Sequence, residues 1–251
     1  MKKILYIFSV LAIISVGLVL PKINTASAAT TFVVDSTGDA GDFVPGDGTC
    51  ATGMDECTLR AAMEESNALA GTDTINFNIG PLDGNVKTIV PTTSFPNITE
   101  TLIINGYTQD DATPNTAASP NPLNGKLLIE LDGSNAGPAS GLYFDEGSEN
   151  SEIRGLVVNS FGADGIVLIA DNIQVQGNYV GTNAAGLAAK PNGFAGVNHS
   201  AVGDALFTVL GGLDPEDRNL LSGNTSSAAY PSSGWTIQGN YVGVDVTGAT
   251  A

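Results

Sequence analysis

Four charged residues draw attention by type and spacing. Glu130-Leu131-Asp132 and Glu152-Ile153-Arg154 are two strand-like tripeptides in succession. If equivalent residues stack, Glu130 neighbours Glu152 and Asp132 sits beside Arg154 at about 5 Å, with positions two along the strand at about 7 Å. Three carboxylates and a guanidinium on one exposed face could bind Ca²⁺ or cradle a sugar. The plainer reading is an ion-paired solvent face, because exposed pairs contribute little. A second acidic group, Asp35, Asp39, Asp42 and Asp47, lies in a Gly-rich loop. Oxygen ligands at such short spacing suit Ca²⁺. The loop lacks the position-12 Glu of an EF-hand, and Asp and Gly are also turn formers. His199 is the only histidine. It has no Cys partner for a zinc site and no adjacent acid to orient it as a base. No Gly-x-Ser-x-Gly nucleophile elbow occurs.

Any such chemistry depends on elements that repeat. Gln176-Gly177-Asn178-Tyr179-Val180-Gly181 returns as Gln238-Gly239-Asn240-Tyr241-Val242-Gly243. A smaller unit, aliphatic-x-Gly, ends at Gly106, Gly133, Gly155, Gly177, Gly223 and Gly239. The step from Gly133 to Gly155 equals the step from Gly155 to Gly177, and Ile129, Ser151 and Ile173 repeat the same interval. In β-rich sequence this constant period points to coils of a parallel β-solenoid. Leu131, Ile153 and Val175 then form an inward ladder. Asp132, Arg154 and Gln176 face outward. The longer hexapeptide repeat would be about three coils. Asn178, Asn224 and Asn240, each after Gly, read as corner residues. Tyr179 and Tyr241 read as stacked within the wall. Residues 108–125 and 225–234 read as long loops. An antiparallel sandwich needs hairpin turns about every 8–12 residues and does not explain identical residues at fixed intervals.

The ends and the composition set the context. Lys2-Lys3, an apolar run from Ile4 to Leu20 and the small-x-small end Ala26-Ser27-Ala28 form a cleavable signal peptide over 1–28. An uncleaved anchor is the rival, but the Ile4 to Leu20 run is at the short edge for spanning. No later run approaches spanning length. Residues 29–251 carry 6 basic against 26 acidic side chains, net −20. Such acidity argues against nucleic acid and anionic membrane surfaces. Residues 29–72 read as an N-terminal cap. In it, Cys50 and Cys57 are close enough in sequence to bridge in an oxidising compartment. Thr58 caps a helix over 58–70, which Gly71 stops. Residues 73–251 read as the stacked domain. The chain stops inside the second repeat, which leaves open that it is truncated there.

Cys57-Thr58-Leu59-Arg60-Ala61-Ala62, then Glu65-Ser66-Asn67-Ala68 and Asp73-Thr74-Ile75-Asn76-Phe77, resemble the N-terminal motif of CSLREA-type secreted bacterial β-helix proteins. Val209-Leu210-Gly211-Gly212, Arg218 to Asn224 and the two hexapeptides are similar to that family's repeats. The chain departs at Thr58 for Ser and Ala61 for Glu. The resemblance implies an all-β fold, a right-handed parallel β-helix with a short N-terminal capping helix, at the cell surface or secreted. Polysaccharide lyases of this fold use carboxylates to hold Ca²⁺ against a uronate and an arginine to remove a proton. Glu130, Asp132, Glu152 and Arg154 resemble that set in outline. The paired-aspartate and Gly-His-Gly patterns of the pectin hydrolases are missing. The expectation is therefore a non-catalytic secreted protein in adhesion or polysaccharide contact. An extracellular lyase or hydrolase of acidic polysaccharide is the alternative.

Overall fold

The computed structural model describes residues 29–199 and 205–249, so the signal peptide expected over 1–28 lies outside the described residues. The chain begins with β1 (Thr31–Val34), α1 (Leu59–Ala68), β2 (Asp73–Phe77) and β3 (Lys87–Ile89). There follow β4 (Leu102–Asn105), β5 (Ile129–Asp132), β6 (Leu142–Phe144), β7 (Glu152–Arg154), β8 (Leu156–Asn159) and β9 (Ile166–Leu168). Next come β10 (Gln174–Gln176), β11 (Tyr179–Val180), β12 (Ala195–His199), β13 (Val209–Gly211) and β14 (Leu220–Leu221). The last three are β15 (Ser227–Tyr230), β16 (Thr236–Gln238) and β17 (Tyr241–Val242).

All pairings between these strands are parallel. One sheet runs β1-β2-β4-β7-β10-β13-β16, a second β3-β5-β8-β11-β14-β17, and a third β6-β9-β12-β15. From β4 onward, successive strands visit the three sheets in strict rotation. Each sheet contributes an aliphatic row. Ile75, Ile104, Ile153, Val175, Leu210 and Ile237 are register partners in the first. Ile89, Leu131, Val158, Val180, Leu221 and Val242 are partners in the second. Leu142, Ile166, Val197 and Ala229 are partners in the third. Apart from Ile237 and Val242, which are exposed at the end of the stack, these rows meet in one hydrophobic core.

The register corrects the sequence reading. Ile153 and Val175 do pair, as their constant interval implies. Leu131 does not pair with Ile153, since β5 belongs to the second sheet and its partner is Val158. The aliphatic-x-Gly unit marks strand ends in two sheets, so equal spacing is not the same as equal position. Gly155, Gly177 and Gly239 close strands of the first sheet at φ of +71°, +66° and +72°. Gly223 closes β14 of the second sheet at φ +76°. The hexapeptide repeat joins β10 to β16 through β13 alone, so it spans two circuits rather than three.

Residues 29–72 follow their sequence more closely. The Thr58 hydroxyl accepts a hydrogen bond from Ala61 N and caps α1. Leu59, Ala62 and Met63 are fully buried and join Phe32, Val34, Ile75 and Phe77 in the core. Cys50 and Cys57 are disulfide-bonded with a Cα separation of 5.2 Å. The motif residues brace this region. Arg60 pairs with Asp39 at 2.9 Å and lies over the Phe95 ring. Buried Glu65 accepts from the backbone N–H groups of Gly46 and Gly48. Asn67 Nδ2 donates to Asn97 O at 2.7 Å, and its Oδ1 accepts from Thr99 N at 2.9 Å.

The 108–125 segment is a strap laid over the second sheet. Tyr107, just before it, donates its hydroxyl to Gly177 O at 2.7 Å. Asn115 Nδ2 donates to Pro215 O, and Leu123 N to Val246 O. Beneath it Leu123 and Leu127 pack with Val157, Tyr179 and Leu220 in a second apolar cluster. This is why the outward faces of β8 and β11 are buried. Burial pushes the Tyr179 phenol up to about 12 and the Tyr107 phenol higher. Tyr179 and Tyr241 do not stack on each other, because Leu220 stands between them in the register.

Candidate functional site

The four charged candidates divide between two sheets. Glu130 and Asp132 lie on β5, while Glu152 and Arg154 lie on β7. Glu130 therefore neighbours Thr88 and Val157, not Glu152, and Asp132 neighbours Asn159, not Arg154. The physical reason is the strand rotation: consecutive strands belong to different faces, so a constant interval along the chain need not return to the same one.

Each half has a cation of its own. Glu130 accepts from Thr88 Oγ1 at 2.9 Å, Asn159 Nδ2 at 2.9 Å and Lys190 Nζ at 3.0 Å. Lys190 also donates to Asp132 Oδ2 at 3.1 Å. Desolvation is the largest influence on Asp132 and acts to raise its pKa. Hydrogen bonds from Ser134 and Lys190 outweigh it and hold the carboxyl below its usual range. Desolvation likewise pulls Lys190 down, but bonds to Glu130 and Asp132 leave its pKa raised. On the other face Arg154 Nε lies 2.8 Å from Glu152 Oε1, close enough for an ion pair but without hydrogen-bond alignment. Its Nη2 lies 4.0 Å from Asp217. Burial and then the neighbouring Glu216 and Asp214 push the Asp217 carboxyl up.

The loop aspartates have other partners. Asp35 Oδ1 accepts from Cys57 N at 2.9 Å. Asp39 Oδ2 accepts from Thr92 N at 2.7 Å while Oδ1 holds Arg60. Asp42 accepts from Val44 N and Ala51 N. Asp47 accepts from Thr49 N. Asp42 and Asp47 tie local turns, Asp35 and Asp39 reach distant segments, and among the described residues no three His, Cys, Asp or Glu side chains converge on a metal position. His199 Nδ1 lies 2.9 Å from Tyr230 O, so Nδ1 carries the proton. Tyr230 stacks on Phe194 with ring centroids 5.3 Å apart.

The polar residues that the structure organises best are asparagines. Asn178 Oδ1 accepts from Leu156 N at 3.0 Å, and its Nδ2 donates to Ile153 O and Gln176 O. Asn219 Oδ1 accepts from Asn178 N at 2.8 Å, and Asn240 Oδ1 from Asn219 N at 3.2 Å. This ladder fills the corner between the first and second sheets. A second pair, Asn192 and Asn224, fills the next corner and reaches Val158 O and Val180 O. Asn224 thus belongs to a different corner from Asn178 and Asn240. Asn219 and Asn192 escape a search keyed to a preceding glycine, because neither follows one. A search for Asn directly beside strand signals would find Asn219, which precedes Leu220-Leu221. Lys190 carries no local signal at all, and Arg218 is marked only by its place at the start of a repeat-like segment.

No helix among the described residues is long and apolar enough to cross a membrane. Comparison with family models gives no match, and comparison with curated proteins gives none either.

Proposed function

We propose that residues 73–251 form a right-handed parallel β-helix, capped by α1, in an exported protein of the CSLREA type. Its role is non-catalytic, in adhesion or polysaccharide contact at a cell surface. Three parallel sheets visited in rotation support the fold assignment. The motif residues Arg60, Glu65 and Asn67 support the cap, because all three brace the helix against neighbouring loops. The disulfide is consistent with an oxidising compartment.

One observation carries the functional reading. The residues that could run lyase chemistry are dispersed over two sheets, and each carboxylate set is held by its own cation. Proton abstraction needs a base within hydrogen-bond reach of the substrate and beside a site for the developing charge. Arg154, paired with Glu152 and Asp217, offers no such pairing with Glu130 or Asp132. The experiment is retention of the chain on immobilised polysaccharides, run beside incubation with polyuronates and Ca²⁺. Binding without unsaturated product is expected. Release of unsaturated product that disappears in Arg154→Ala would replace this reading with a lyase.

A further inference from the structure

Among the described residues, most of the Lys and Arg side chains pair with a carboxylate. Arg60 pairs with Asp39, Lys87 with Asp83, Arg154 with Glu152, and Lys190 with Glu130 and Asp132. Lys126 is exposed. Arg218 is different: it is only 4% exposed, yet among the described residues it forms no ion pair with a carboxylate. Its Nε donates to Gly239 O at 2.9 Å and its Nη1 to Ala117 O at 3.0 Å. The Tyr241 ring centroid lies 4.5 Å from the guanidinium carbon. A guanidinium has five N–H donors in a planar fork. Those two bonds leave Nη2 and one N–H of Nη1 without an acceptor among the described residues. A buried cation without a counter-ion is costly, and this one lines a cavity of about 220 Å³ between the strap and the loop after β13. The other walls are Ala118, Ser119, Gly212, Leu213, Pro215 and Gly239.

We propose that this cavity binds a sugar-borne carboxylate, held end-on by the free edge of Arg218. The proposal rests on the polysaccharide-contact reading and names the chemistry that reading would use. The donors left on Nη2 and Nη1 of a planar guanidinium match the two oxygens of a carboxylate. Asp217 lies against Gly212 in the cavity wall, and Asp214 and Glu216 flank Pro215 in the chain, so a multiply charged group such as a phosphate is repelled more strongly than a single negative charge. Pro215 and Leu213, the latter 85% exposed at the rim, offer an apolar flank for the C–H face of a ring. The volume is below the roughly 300–1,000 Å³ of pockets that enclose drug-sized ligands, which suits one sugar unit rather than several.

The test is an NMR titration of the full chain with sodium glucuronate, glucose and acetate, reading the Arg218 side-chain and Ser119 amide signals. Glucuronate should shift them saturably, with glucose and acetate at least tenfold weaker. Arg218→Gln should weaken glucuronate at least tenfold. Because that variant removes two hydrogen bonds and can unfold, Leu213→Glu serves as the second probe. It places a carboxylate on the exposed rim, should keep the wild-type unfolding transition, and should weaken glucuronate to the same degree. Equal affinity for glucose or for acetate overturns the proposal, as does undiminished glucuronate binding in Leu213→Glu. Retention on polysaccharide together with failure at this cavity removes only the cavity assignment. Loss of all polysaccharide retention removes the functional reading itself.

Discussion

Asn178→Ala should destabilise the protein by about 3–5 kcal/mol, the sum of one orphaned donor and two lost bonds. Asn178 is fully buried, and its side chain is the acceptor for Leu156 N and a donor to Ile153 O and Gln176 O. Truncation leaves Leu156 N–H buried without that acceptor, which costs about 1–3 kcal/mol. Losing two donated bonds adds about 1 kcal/mol each. Leu156 and Asn178 both have no exposed surface, so the native corner is closed to bulk solvent. Urea unfolding followed by circular dichroism measures the effect as a fall in midpoint at constant slope. Asn121→Ala is the control: its side chain is exposed, and the change should stay within about 0.5 kcal/mol. Asn178→Asp keeps the acceptor but turns a second oxygen toward Ile153 O, so it should lose at least as much at neutral pH. It should recover part of the loss in acid, where the carboxyl can donate again. A cost below about 1 kcal/mol for Asn178→Ala would refute the argument, because the strand ends would then satisfy their own polar groups without the ladder.

Val175→Ala should cost about 1–3 kcal/mol through lost burial and a cavity in the aliphatic row, measured by the same unfolding assay. Gln176→Ala should exceed the roughly 0.5 kcal/mol typical of an outward-facing position, because Gln176 is covered to 9% exposure and donates to Gly211 O. Thiol titration of unreduced protein should find no reactive cysteine, and the double Cys50→Ser, Cys57→Ser variant should lose about 2 kcal/mol, as befits so short a loop. Asp132 has a lowered folded pKa, so its contribution is present above about pH 4 and fades as acid titrates the folded carboxyl. Lys190 has a raised pKa, so its contribution holds below about pH 10 and is lost as pH rises through the folded value. Lys190→Met should flatten both limbs of the stability–pH curve, and unaltered limbs would mean that the bridge is energetically silent.

Much of the architecture was legible in the sequence because its determinants are local. Strand alternation at Val175, helix capping at Thr58 and turn formation at Gly177 depend on a few adjacent residues. All three stand in the structure as their sequence implies. The nearby cysteines needed only a short loop to meet. Register was different. Whether Leu131 lies against Ile153 or Val158 depends on how many residues each intervening loop consumes, and a turn signature common to two sheets cannot report that. The pairing of Glu130 and Asp132 with Lys190, far along the chain, is likewise a product of packing. So is the strap that buries Tyr179, and so is the lack of an ion pair at Arg218 among the described residues. Sequence by itself determined which segments turn and which extend, because backbone sterics and side-chain periodicity act within a few residues. Only the tertiary structure decided which charges meet, because electrostatic partnership is set by distance in space, and the circuits between strands have unequal lengths.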